Sequence, residues 1–144
     1  MTAEDAIVAL IRKVLPKADV FPERDLDTQQ KVQGVLVVQK QNPPADDIPS
    51  ARSFAQFDIE CMGPNGGIRG ERTAYQWAKA IYHWALTLPT DIATEDGETI
   101  GIIRPDGRPY KVGARVTGAG GASQWIYNWR LSITAEFYED GIVR

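Results

Sequence analysis

Apolar residues occupy every odd position from 125 to 137: Trp125, Tyr127, Trp129, Leu131, Ile133, Ala135 and Phe137. The even positions after Ile126 are mostly polar: Asn128, Arg130, Ser132, Thr134 and Glu136. A period of two sustained over this run predicts a long β-strand with one buried face. At about 3.3 Å per residue it would reach on the order of 40 Å, whereas a usual strand has about five or six residues. A strand of that length either bends across two sheets or runs past its own domain toward a neighbour.

Other stretches resolve by the same reading. Residues 2–15 predict an amphipathic helix, with Thr2 as cap, Glu4 and Asp5 in the first turn, and Ala6, Ile7, Leu10, Ile11 and Val14 on one face. Pro16 stops it. A short strand is expected around Val20 and Phe21. Residues 32–40 form a β-rich run dense enough in valine and leucine to be covered on both faces. Residues 41–53 hold Pro43, Pro44, Asp46, Asp47 and Pro49 and predict an exposed loop. Residues 54–62 alternate, with Ala55, Phe57, Ile59 and Cys61 on one face.

Residues 71–88 predict a second helix, with an apolar stripe of Ala74, Trp77, Ala78, Ile81, Trp84, Ala85 and Leu88; Lys79 and His83 fall off it and Pro89 ends it. Trp77 and Trp84 are expected in the core, as is at least one of Trp125 and Trp129. Residues 99–104 and 109–117 flank Pro105-Asp106-Gly107-Arg108, which reads as a hairpin turn with glycine at a positive φ. Residues 118–123 read as a flexible link. The fold class predicted is α+β in one domain: a mainly antiparallel β-sheet with two α-helices packed on one face, a long C-terminal strand and a protruding hairpin.

Composition narrows the function. The 144 residues suffice for one full core, and 43% hydrophobic with 24% charged is usual for a globular chain. The net charge is −3, with basic residues interleaved by acids, so specific nucleic-acid binding is not expected. No apolar run approaches the roughly 20 residues of a membrane span, and the acidic start lacks a signal-peptide basic region. A cytoplasmic site of synthesis is the expectation. One cysteine excludes an internal disulfide and a cysteine-based zinc site.

Candidate chemistry is sparse. His83 is the sole histidine, and its axial neighbours Lys79 and Thr87 are not orienting carboxylates, so a surface position is expected. Cys61 reads as a small buried residue. The glycines from 118 to 121 lack the lysine and serine or threonine of a phosphate loop and precede a strand. Asp25, Asp27, Asp46 and Asp47 match no calcium-loop spacing. No catalytic residue, cofactor site or metal site is expected. Glu136, with Glu139 and Asp140, reads as strand-edge protection or partner contact. If the long strand overhangs its sheet, Trp125 at its start becomes an interface anchor.

The element order is similar to that of the lambda-type tail terminator (tail completion) proteins of long-tailed bacteriophages. The residues that carry the resemblance are Gly34-Val35-Leu36-Val37-Val38, the Pro-rich loop, Phe57-Asp58-Ile59-Glu60-Cys61-Met62-Gly63, the Trp/Ala-rich helix at 75–88 and the terminal Ile133-Thr134-Ala135-Glu136-Phe137. Together they cover nearly the whole chain. The resemblance implies a homo-oligomeric ring, typically a hexamer, that caps the tail tube protein, stops its polymerisation and docks to the neck or head-completion protein. It implies a virion location at the head–tail junction, after assembly in the host cytoplasm. By position, the loop with Pro43, Pro44, Asp46 and Asp47 and the turn at Asp106 and Gly107 become docking or ring segments, and the strand 125–137 supports the subunit interface. Competing expectations are a head-completion or neck protein of the connector, a small hydrolase or nucleotide-binding enzyme, and a cellular binding domain without a phage role.

Overall fold

The computed structural model describes residues 3–25, 33–40, 52–63, 67–93, 98–117 and 123–139. Two helices are described in full, α1 (Ala3–Val14) and α2 (Gly67–Leu86), with strands β1 (Val20–Pro22), β2 (Gly34–Gln39), β3 (Arg52–Met62), β4 (Thr90–Ala93), β5 (Glu98–Pro105), β6 (Tyr110–Thr117) and β7 (Ser123–Glu139). All seven strands join one sheet in the order β1-β2-β3-β7-β5-β4, with β6 on β7. The β1–β2 ladder is parallel and every other one antiparallel. The architecture is the expected α+β.

One core lies between the sheet and both helices. β3 contributes Ala55, Phe57, Ile59 and Cys61, and β7 contributes Leu131, Ile133, Ala135 and Phe137. α1 adds Ala6, Ile7, Val8 and Ile11, and α2 adds Ala74, Ala78, Ile81 and Ala85. Removing such side chains from water is the main favourable term, about 1.5–3 kcal/mol for each large one. β2 is covered on both faces, as its sequence predicts. Val35 and Val37 lie opposite Cys61 and Ile59, while Leu36 and its neighbour Phe21 fall on the other face and are buried too. Glu4 fastens α1 to these strands: its carboxylate accepts the N–H of Glu23 at 2.9 Å and of Gln39 at 3.2 Å. Arg12 donates twice to the Val20 carbonyl, at 3.0 and 2.8 Å.

Several expectations change. The tryptophans Trp77 and Trp84 are only partly buried and pack on the core's rim, because alanines form the centre of the α2 stripe. α2 begins at Gly67, earlier than its polar start suggests. Gly63 at the end of β3 lies against the Gly70 backbone, where a Cβ would overlap the carbonyl group, so glycine lets the helix return directly over the strand end. α2 ends before Pro89: Thr87 and Leu88 donate to the Trp84 and Ala85 carbonyls, and Leu88 takes φ 52°. The sequence patterns do not predict β4. β3 starts at Arg52, so the end of the predicted loop at Ser53 is strand. The rest of that loop, including Pro43, Pro44, Asp46 and Asp47, lies outside the described residues, as do Thr2, Asp27 and residues 118–122.

The largest correction concerns the turn at 105–108. β5 and β6 do not pair with each other. Both lie end to end along the same edge of β7, β5 against residues 133–139 and β6 against residues 123–130. Between them, the chain from Asp106 to Pro109 bulges outward opposite Leu131 and Ser132. β6 pairs antiparallel with β7, the strand that follows it, instead. A second irregularity sits at Gly101, where the β5 register shifts. The extra residue lets Ile100 and Ile103 both reach the core although they are three apart.

Candidate assembly surface

β7 has 17 residues, which at about 3.3 Å each spans roughly 55 Å. Its two edges are used unequally. One edge is occupied along its whole length, by β6 and then β5. The other edge carries β3, whose ladder ends at the pair Cys61–Trp129. Among the described residues nothing pairs with that edge from Ser123 to Asn128. Among the described residues, the first third of β7 is thus paired with β6 alone, as a two-stranded ribbon.

Trp129 stands at the root of the ribbon. Its ring centroid is 4.6 Å from that of Tyr75 on α2. A groove of about 350 Å³ opens beside them, lined among the described residues by Glu71, Arg72, Tyr75 and Trp129. Glu71 also reaches across to Lys111 of β6, Oε1 to Nζ 3.2 Å, and so ties the second turn of the helix to the ribbon. Two buried polar atoms lack a hydrogen-bond partner here, Asn128 Oδ1 and Trp129 Nε1. Such atoms are rare in finished structures. These two are on consecutive residues, where β3 runs out.

On β3 and β7 the outer face of the sheet carries a row of polar contacts. Asn128 Nδ2 and Arg130 Nε both donate to Glu60 Oε1, at 3.3 and 3.1 Å. Ser132 Oγ donates to Asp58 Oδ1 at 2.6 Å, and Lys40 reaches the same carboxylate at 3.3 Å. Thr134 Oγ1 donates to Asp106 Oδ2 at 2.6 Å, while the Asp106 N–H donates to the Ser132 carbonyl at 2.9 Å. These contacts anchor the outward bulge to the sheet.

The expected interface residues therefore divide. Asp106 and Gly107 are exposed, but on a bulge against the sheet and not at a hairpin tip. Glu136 is a correction: it lies between Phe54 of β3 and Ile102 of β5, in the middle of the sheet, and is only 8% exposed. It protects no edge, because β7 is an inner strand at that point. Trp125 has its backbone on the ribbon, opposite Arg115, at the kind of overhang that would make it an anchor. The open edge itself was missed. The length of the alternating run was its one sequence signal, since pairing partners cannot be read from a single strand.

Cys61 is buried in the core, and burial pushes its thiol pKa well above the usual range, with Glu60 adding to the effect. The Cys61 sulfur is thereby held protonated, a poor nucleophile. His83 is exposed and meets the edge of the Tyr82 ring at 6.1 Å. Among the described residues no three of His, Cys, Asp and Glu cluster as metal ligands, and no helix is long and apolar enough to cross a membrane. Comparison with protein-family models, with characterised proteins and with solved structures finds no match.

Proposed function

We propose that this chain is a structural subunit of a phage tail. It forms a ring, six copies in the family it resembles, at the end of the tail tube, ends the tube's growth and makes the tail side of the head–tail junction. The observation that carries the reading is the overhang of β7, where an aromatic strand runs past its ladder with β3 and no described residue pairs with that edge. A ring needs a heterologous interface, in which two different surfaces of one subunit meet. A projecting ribbon offers two different edges. The element order shared with tail terminators supports the same reading, and a buried, protonated Cys61 fits a structural role better than a catalytic one.

In this reading the chain is not an enzyme and uses no cofactor. Its partners are its own copies, the tail tube protein and the neck or head-completion protein, without membrane or specific nucleic-acid contacts. The virion tail is its final location.

The test is to polymerise the tail tube protein encoded in the same genome with and without this protein, and to measure tube lengths by negative-stain electron microscopy. Shorter tubes bearing a ring at one end, with length falling as the added protein rises, are expected. Tubes of unchanged length without end structures contradict the proposal.

A further inference from the structure

We infer that copies of this chain join by β-strand addition, the outer edge of β6 in one copy lying antiparallel on the open edge of β7 in the next. The inference rests on the reading of the chain as a ring subunit and names the contact that builds the ring.

The direction of the backbone groups follows from the ladders. A residue in a strand points its N–H and its C=O toward the same side. The Ser132 carbonyl accepts from Asp106, so Ser132 is directed toward the β5–β6 side. β7 keeps an unbroken register with β6 over residues 123–130 and with β3 over residues 129–138, so its even residues are directed likewise. Its odd residues Ser123, Trp125 and Tyr127 are then directed toward the open edge. The β2–β3 side gives an independent check. Lys40 donates to the Gln56 carbonyl, so even residues of β3 face β2 and the odd Phe57, Ile59 and Cys61 face β7. Cys61–Trp129 is thus a hydrogen-bonded pair, and the next such positions along β7 are Tyr127 and Trp125, without a partner among the described residues.

The same alternation applies to β6. Its even residues 110–116 are opposite even residues of β7. Lys111, Gly113, Arg115 and Thr117 are therefore directed outward, to an edge that no described strand occupies. Among the described residues, one ribbon thus carries two open edges of similar length, on strands of opposite sense. Setting β6 of one copy beside β7 of the next repeats the antiparallel pairing already present within the ribbon. The step can be repeated from copy to copy, as a ring requires, because each contact uses up one edge of each kind.

Three further observations favour a second copy as occupant. An isolated two-stranded ribbon is marginal in water. In sequence this one is rich in apolar and aromatic residues, with Val112, Ala114, Val116, Trp125, Ile126 and Tyr127. The partnerless Asn128 Oδ1 and Trp129 Nε1 lie where the open edge begins. Unpaired edges are templates for strand addition, and proteins usually blunt them.

The test uses the full chain. The mass in solution is followed by light scattering over a concentration series for the natural sequence, for Tyr127→Pro and for Arg115→Pro. Each proline removes an N–H that points only outward, and leaves the β6–β7 ladder intact. The natural chain is expected to assemble, and each variant alone to remain a monomer with unchanged circular dichroism. A mixture of the two is expected to give one dimer and nothing larger, since one good edge of each kind remains. Assembly of either variant like the natural chain overturns the inference. So does dimerisation of Arg115→Pro alone, which would mean two β7 edges pairing symmetrically, and so does a natural chain monomeric at every concentration.

Hydrogen exchange on the natural chain decides the matter if a proline variant unfolds. The Trp125 and Tyr127 amides should slow by about tenfold or more from dilute to concentrated protein, with Ile126 and Asn128 protected throughout. Unchanged exchange at 125 and 127 overturns the inference. Rings that survive both prolines refute this contact and leave the tail reading standing. Edge-dependent assembly without any effect on tube length does the reverse.

Discussion

Cys61 faces Trp129 in the last pair of the β3–β7 ladder, and β7 continues beyond that pair to Ser123 with β6 as its one partner among the described residues. The two residues mark a boundary within one strand. On the Phe137 side, β7 is an inner strand with its apolar face under the helices. On the Trp125 side it is half of a ribbon. Burial of Cys61 and the tilted ring contact between Trp129 and Tyr75 hold the boundary in place.

The boundary makes Cys61 a reporter of folding. Its thiol stays protonated in the folded chain because burial disfavours the thiolate. The unfolded chain loses that proton near the ordinary thiol pKa, about 8.5. Above that pH the unfolded state binds fewer protons than the folded state, so this group's effect is to lower stability as pH rises. Cys61 should react with a thiol reagent only at the rate of unfolding at neutral pH, and urea midpoints should decline above about pH 8.5 in the natural chain more than in Cys61→Ala. Rapid labelling of the folded protein would show that the strand end is open.

Gly63 and Gly107 should respond differently to alanine. At Gly63 the new Cβ meets the Gly70 backbone, which cannot move without shifting α2. Gly63→Ala is expected to cost on the order of 3 kcal/mol in urea unfolding. At Gly107 the space is open and only φ 148° resists. Gly107→Ala should cost about 1 kcal/mol. Equal costs at both sites would mean that the close approach is relaxed in solution.

The bulge between β5 and β6 is held by Asp106 and Thr134. Removing the carboxylate in Asp106→Ala leaves a hydroxyl that is almost fully buried without this acceptor. A loss of about 1–2 kcal/mol is expected from thermal unfolding, and Thr134→Val should add little to it in the double variant. Additive losses would show that the two residues act separately.

Much of the fold was legible in the sequence. Strict alternation gave β3 and β7, helical spacing gave α1 and α2, and the run Val35-Leu36-Val37 gave a strand covered on both faces. What failed has a physical pattern. Pro105-Asp106-Gly107-Arg108 has turn chemistry, and the chain does deviate there, but the long β7 offers enough edge for β5 and β6 to bind in tandem. Gly101 hides the phase change that brings Ile103 to the core. Glu136 looks like an edge charge in a period-two pattern, yet neighbours on both sides enclose it. Local patterns report which face a residue takes; strand order and the free edge depend on pairings remote in sequence. The proposed function rests on the same remote feature, and no motif announces it.

The most direct measurement is the mass and shape of the purified chain in solution: light scattering across a concentration series, with negative-stain images of the largest species. The account predicts a closed ring, with a central hole, that dissociates on dilution. A chain that stays monomeric at every concentration, or that closes as a symmetric dimer, would contradict it.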